Sequence, residues 1–314
     1  MKLAIIGAGA LGSVIGFHLA ASNEVVLIDP WQEHINAINT RGLCCVFEDS
    51  EQIRFLTATT DPAQVEPVAV ALITVKAAQT SWAATLAAQI LQADGVAYTL
   101  QNGLGNAELL AHRLGAQRVG QGVTTLGATM VAPGRVRLAG RGTTTFSATP
   151  SLSTAYAIAD AFRVCSLPAS VSTDLVGLVW SKLIVNVGIN ALTAILRVPN
   201  GALATIPAAS KLVRRAVEEA VAVAQAAGIT IGLADPVAET LAVAQATAAN
   251  WSSMLQDILR GVPTEIETIN GAIVREGQRL GVPTPFNSFL CDLINSFLCD
   301  LITALEATAP LRVS

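Results

Sequence analysis

Along the first half of the chain, short apolar runs alternate with stretches whose apolar positions recur every three to four residues. KLAII at 2–6 and EVVLI at 24–28 read as strands around a helix near 10–22. A strand at 68–75 (VAVALITV) precedes a helix at 77–91, and a strand at 96–101 runs into the turn QNGLGN and a further helix. Strands that are apolar throughout, each followed by a helical stretch, predict a mostly parallel sheet covered on both faces. Between 117 and 147 the rhythm changes. Thr, Val and Gly recur around Pro133 and Gly134 there, which predicts hairpins at the end of this domain.

From about 171 onward, long Ala- and Leu-rich patterns of helical period take over, punctuated by Pro199, Pro207, Pro236, Pro263 and Pro283. They predict helices at 174–196, 208–228, 236–250, 264–281 and 285–308. The expected architecture is α/β, an N-terminal doubly wound sheet over 1–170 followed by an all-helical C-terminal domain over 171–314, with the boundary near 168–172. NSFLCDLI occurs at 287–294 and again at 295–302. Eight residues leave the second copy about 80° out of phase with the first on a helix, so both cannot present one face to one core. The repeat reads as a tandem duplication rather than a functional one.

Composition changes this picture in three places. Of 314 residues, 52% are hydrophobic and only 13% charged, which points to apolar surface hidden between domains or subunits and suggests a homodimer. The net charge of −4 leaves no basic excess for a nucleic acid or an anionic membrane surface. The mean hydropathy of +0.54 raises the question of a membrane span. The most apolar segment, 183–196, is short and broken by two asparagines, so no membrane association is expected. Five cysteines (44, 45, 165, 291 and 299) show no paired spacing, and three histidines (18, 34 and 112) form no ligand cluster. Reduced thiols, a cytoplasmic location and no metal site follow as expectations.

Candidate chemistry begins directly after the first strand. Gly7, Ala8, Gly9, Ala10, Leu11 and Gly12 spell GAGALG at the start of a helix. Glycines at this spacing serve a tight turn, close approach to a pyrophosphate and close helix–strand packing, and the helix N-terminus meets the negative phosphates. In this setting the motif predicts a Rossmann-type dinucleotide site. Asp29 closes the second strand, where a carboxylate accepts from ribose hydroxyls and repels a 2′-phosphate, so NADH is expected over NADPH. The alternative for Asp29 is a cap on the following helix. In the second half, Lys182, Asn186 and Asn190 stand at i, i+4 and i+8 among apolar neighbours. Such a stripe faces a polar cleft or finds internal partners, and desolvation lowers the lysine toward a proton-donating range. Ser253 and Glu265 read either as site residues or as a helix cap and a first-turn acid.

Taken together, GAGALG at 7–12, TVKA at 74–77, QNGLGN at 101–106, WSKLIVNVGINALTA at 180–194, PNG at 199–201, SSMLQD at 252–257 and TEIETING at 264–271 resemble the ketopantoate reductase (2-dehydropantoate 2-reductase) family over essentially the whole chain. The resemblance implies reduction of a small 2-oxo acid to (R)-pantoate, toward pantothenate, with NAD(P)H. It implies that Lys182 is the general acid, and that Asn186, Asn190, Ser253 and Glu265 bind and orient the substrate. It places Asn200 at a family position in the cleft, and Lys76 and Asn102 beside the nicotinamide. Family members acting on ketopantoate use NADPH and carry a basic residue after the second strand, where this chain has Asp29. That departure leaves open an NADH-dependent reductase of another branched or aromatic 2-oxo acid. A protein that senses NAD(H) without turnover is the remaining alternative, disfavoured by the lysine–asparagine stripe.

Overall fold

The computed structural model describes residues 1–297. It divides into an α/β unit, Met1–Gln101 with Gly105–Leu175, and a helical unit, Asn102–Leu104 with the chain from Val176 onward. The chain leaves the α/β unit at Leu175, a few residues later than its sequence pattern suggests, and Asn102–Leu104 cluster with the helices.

The α/β unit runs β1 (Lys2–Ile6), α1 (Ala10–Leu19), β2 (Glu24–Ile28), α2 (Gln32–Arg41), β3 (Leu43–Val46), β4 (Glu51–Arg54), β5 (Thr57–Thr59), β6 (Val68–Ile73), α3 (Thr80–Ile90), β7 (Leu91–Thr99), α4 (Asn106–Leu114), β8 (Val119–Thr124), β9 (Gly127–Ala132), β10 (Arg135–Gly140), β11 (Thr144–Ser147), α5 (Leu152–Val164) and β12 (Ala169–Ser172). The main sheet has the order β12-β11-β8-β7-β6-β1-β2-β5. All its neighbours pair in parallel except β8 and β11. From β1 the chain winds outward through β2, then returns to β6 on the other side. The C-terminal end of β1 is therefore the point where the winding reverses, which is where ligands bind in open α/β sheets. Alternation along β1 fills both faces. Leu3 and Ile5 join a core with α1 and α5, whereas Ala4 and Ile6 join a second core with α3 and α4. A smaller sheet, β4-β3-β10-β9, carries the hairpin at Pro133–Gly134. The β3–β4 hairpin beside it escapes the hydrophobic pattern because EQIR is almost wholly exposed.

The helical unit comprises α6 (Val176–Leu196), α7 (Gly201–Thr205), α8 (Pro207–Ala226), α9 (Pro236–Ala246), α10 (Ser253–Leu259), α11 (Asn270–Leu280) and α12 (Pro285–Asp292). α6 packs against α8, α9, α10 and α12. It is long and apolar enough to cross a bilayer, but 72% of its most apolar window is buried inside the structure, as a core helix requires. Leu183, Ile184, Val187 and Leu192 supply its buried face. Three expected helices are shortened. The 236–250 helix ends at Ala246. The 264–281 helix begins only at Asn270, after a 3-10 turn over Ile266–Thr268. The 285–308 helix holds α-form to Asp292 and widens to a π-turn over Leu293–Phe297, at the junction of the two NSFLCDLI copies. The rest of that expected helix lies outside the described residues. The start of α12 is capped from a distance: the Glu219 carboxylate on α8 accepts from Phe286 N at 2.8 Å and Asn287 N at 2.9 Å.

Candidate active site

In the α/β unit the glycine motif forms the turn between β1 and α1. Gly7 holds a φ of +104°, and a Cβ there would lie 2.6 Å from Val75 N. A Cβ on Gly12 would collide with the Gly7 carbonyl oxygen, which already accepts from the Thr74 hydroxyl at 2.7 Å. These two glycines are therefore demanded by the fold itself. Gly9 differs, because a Cβ there would meet no atom within 4 Å. Gly9 precedes α1 without any side-chain cap, so the first N–H groups of α1 are left for an anion. Ala8, Ala10 and Leu11 complete the turn. A pyrophosphate fits this arrangement: the open position is the one where a ligand must approach the backbone.

Asp29 follows β2 directly and braces this turn. Its Oδ2 accepts from Ala8 N at 2.8 Å and its Oδ1 from Trp31 N at 2.9 Å. It is not the N-cap of α2, a position held by Trp31 without a side-chain bond. A carboxylate offers about four acceptor sites, so two remain for hydroxyl groups. Lys76 lies partly buried just after β6, at the start of a 3-10 turn over Ala77–Gln79. Thr74, Ser13 and His34 also hold this loop. Thr74 and Ser13 bond to the carbonyls of Gly7 and Ala8, and His34 lies behind Ser13; the glycine spacing by itself points to none of the three.

The helical unit gathers a second group. Lys182 on α6 donates from Nζ to Asn102 Oδ1 at 2.7 Å, and Asn102 Nδ2 donates to Glu265 Oε2 at 3.3 Å. Asn102 is held in place by its neighbours: Leu104 N donates to Thr268 O at 3.0 Å. Gly103 has a φ of +84°, and any Cβ on it would run into that same Thr268 carbonyl. Glu265 is buried, five residues ahead of α11, and so is not a first-turn acid of that helix. Burial pushes the Lys182 ammonium down to about 8, against the opposing pull of the Glu265 carboxylate.

Asn186 and Asn190 follow Lys182 on α6, the first half-buried and the second buried. Three residues beyond Asn190, Thr193 donates to Ser252 Oγ at 2.7 Å, and Ser252 accepts from Leu255 N at 3.1 Å as the N-cap of α10. The capping role thus belongs to Ser252, and Ser253 does not serve it. Asn200 is bound elsewhere, with Nδ2 donating to Thr247 Oγ1 at 2.9 Å and its backbone N to Asn250 O at 2.9 Å. Its Oδ1 is buried without a partner among the described residues. The structure therefore joins Lys182, Asn102 and Glu265 directly and ties Asn200 to the end of α9. No metal-ligand cluster occurs among the described residues.

A reversing α/β sheet with an open glycine turn, and a lysine lowered to about 8 by burial, mark a dinucleotide-dependent oxidoreductase. Comparison with known proteins gives the family. The model described as "Ketopantoate reductase PanE/ApbA" matches residues 3–151, and "Ketopantoate reductase PanE/ApbA C terminal" matches residues 174–297. A 2-dehydropantoate 2-reductase of Halobacterium salinarum is 37% identical over 94% of this chain and 98% of its own length. The crystal structure of a PanE/ApbA family ketopantoate reductase from Ralstonia eutropha JMP134 aligns with a TM-score of 0.86 at 35% identity, covering 94% of this chain and 97% of that one. The ternary structure of D-mandelate dehydrogenase with NADH and anilino(oxo)acetate aligns with a TM-score of 0.88 at 30% identity, covering 96% and 100%. The chain belongs to the ketopantoate reductase family.

Proposed function

We propose that this protein reduces 2-dehydropantoate to (R)-pantoate, a step toward pantothenate, with NADH as the preferred donor. The observation that carries the reading is the Lys182–Asn102–Glu265 chain, with the lysine lowered to about 8. Supporting it, the Halobacterium salinarum relative bears the name of this activity over nearly its full length.

The Gly7–Gly12 turn would hold the pyrophosphate of a nicotinamide dinucleotide, which when bound would supply the hydride that reduces the 2-oxo carbon. Lys182 donates a proton to the 2-oxo oxygen, so that negative charge does not accumulate there. An ammonium has three N–H donors; one is spent on Asn102 Oδ1, which sets the direction of the others. Glu265 fixes Asn102 from its other end and favours the charged lysine through space. Asn186, Asn190 and Ser253 hold the substrate carboxylate and hydroxyl, with Asn200 as an additional amide. In the α/β unit, Asp29 takes the adenosine ribose, and Lys76 lies at the nicotinamide side. Asp29 disfavours a 2′-phosphate by direct charge repulsion, which is the basis for NADH.

The experiment is a steady-state assay of the purified protein with 2-dehydropantoate and a panel of branched and aromatic 2-oxo acids, each with NADH and NADPH. The expected result is the highest kcat/KM for 2-dehydropantoate with NADH. A clearly higher value for another acid redirects the substrate, and binding of NADH without turnover of any acid removes the catalytic reading. The oligomer proposed is a homodimer, checked by light scattering. The compartment proposed is the cytoplasm, in keeping with Cys44, Cys45, Cys165 and Cys291, all free thiols.

A further inference from the structure

Both peptide groups that flank Ala8 are held by side chains. The Ala8 N–H donates to Asp29 Oδ2 at 2.8 Å, and the Ala8 carbonyl accepts from Ser13 Oγ at 2.8 Å. Ser13 is fully buried on α1, and its oxygen lies 3.1 Å from Nε2 of His34, equally buried on α2. Gly134, in the turn between β9 and β10, donates its N–H to His34 Nδ1 at 2.9 Å. A ring nitrogen that accepts a backbone N–H carries no proton, so the hydrogen of the neutral imidazole sits on Nε2. Every step then pairs one donor with one acceptor: Gly134 N–H to Nδ1, Nε2–H to Ser13, and the Ser13 hydroxyl to the Ala8 carbonyl. Burial pushes the His34 imidazole below its usual 6.5, against the pull of the Asp29 carboxylate, in keeping with this neutral form at pH 7. Trp31 packs over the ring, with centroids 5.0 Å apart and planes 14° apart.

From this chain of bonds we propose that Ser13 and His34 are positioning residues for dinucleotide binding, fixing the Ala8–Gly9 peptide so that the Gly9 N–H faces the pyrophosphate. The inference rests on the dinucleotide reading of this turn. In a trans peptide the N–H and C=O point in opposite directions. Holding the Ala8 carbonyl inward on buried Ser13 therefore turns the Gly9 N–H outward, at the turn glycine where an added Cβ meets nothing within 4 Å. Without Ser13 the same peptide is free to rotate, and its carbonyl oxygen then competes for the position a phosphate needs. The relay starts at Gly134, one hundred residues from His34, so the smaller sheet takes part in shaping a loop of the larger one.

The test is fluorescence titration of the purified protein with NADH, comparing wild type with Ser13→Ala, His34→Asn and the double variant. His34→Asn keeps an acceptor for Gly134 but is too short to reach Ser13. Each single variant is expected to raise the NADH Kd about tenfold, the scale of one buried hydrogen-bonding group left unsatisfied. The double variant should be no weaker than the worse single one, because both break the same relay. The loss should fall on Kd and on KM for NADH rather than on kcat. Should His34→Asn fail to fold, Ser13→Ala, which removes a single oxygen, carries the comparison alone. Wild-type affinity in folded Ser13→Ala, independent effects that multiply in the double variant, or a fall in kcat at unchanged Kd each overturn the relay. Failure of the wild type to bind either NADH or NADPH overturns the dinucleotide reading as well.

Discussion

Lys182 and Glu265 occupy opposite ends of one carboxamide: the ammonium donates to Asn102 Oδ1 at 2.7 Å, and Asn102 Nδ2 donates to the Glu265 carboxylate at 3.3 Å. The amide dipole is aligned with both charges. Its negative end meets the cation and its positive end the anion, so Asn102 transmits the influence of Glu265 while keeping the lysine oriented.

Lys182→Ala removes the proposed proton donor. Its kcat for 2-oxo acid reduction is expected to fall by about 100-fold or more, the scale of a lost general acid. Single-turnover kinetics with bound NADH checks this, and turnover near that of wild type would remove Lys182 from the mechanism.

The pH profile follows from the lowered lysine. Reduction needs the ammonium, so kcat/KM for the 2-oxo acid should be level below about 8 and decline above it. Oxidation of the 2-hydroxy acid needs the free amine and should rise through the same range. The linkage sign also follows: between about 8 and the ordinary 10.5 the folded protein binds fewer protons at Lys182 than the unfolded chain. This one group therefore makes stability rise with pH across that window. Denaturant titrations of wild type and Lys182→Met at pH 8 and pH 10 separate its contribution.

Asp29→Asn should move the cofactor preference toward NADPH. Removing one charge near a 2′-phosphate relieves a repulsion of about 1–4 kcal/mol between the aqueous and protein-surface limits, about fivefold or more in relative kcat/KM. The amide retains an oxygen for the Ala8 N–H. An unchanged NADH to NADPH ratio in that variant would mean that Asp29 does not read the ribose.

Gly103→Ala and Gly105→Ala form a matched pair. Both residues have positive φ, +84° and +92°, but only at Gly103 would the new methyl strike the Thr268 carbonyl. Gly105→Ala should cost about 1–2 kcal/mol from backbone strain alone. Gly103→Ala should cost more and also lower kcat, because Asn102 is displaced from Lys182. Equal melting temperatures and equal kcat in the two variants would deny Gly103 this role.

Much of the α/β architecture is legible locally. GAGALG after KLAII names its own turn, because Gly7 and Gly12 answer to atoms a few residues away or on the adjoining strand. The helical stripe of Lys182, Asn186 and Asn190 is equally visible as periodicity. What sequence spacing could not supply is the partner. Asn102 is 80 residues from Lys182, and its motif QNGLGN reads as a simple turn. Two adjacent serines give no sign of which one caps α10; the Thr193 hydroxyl decides in favour of Ser252. The late start of α11 is similarly tertiary, since Glu265 turns inward toward Asn102 before the helix can begin. His34 and Ser13 carry no motif at all, and only burial and hydrogen-bond direction bring them into view.

The excursion of Asn102–Leu104 bears on how this chain can be divided or recombined. A fragment cut at Leu175 would contain the lysine, the asparagine stripe and Glu265, yet lack the carboxamide that links them. A chimera that exchanges only the C-terminal half would draw that carboxamide from its other parent. On the proposed mechanism, the inheritance of substrate chemistry is split between two distant stretches of the gene, so a faithful graft must carry the tripeptide along with the helices.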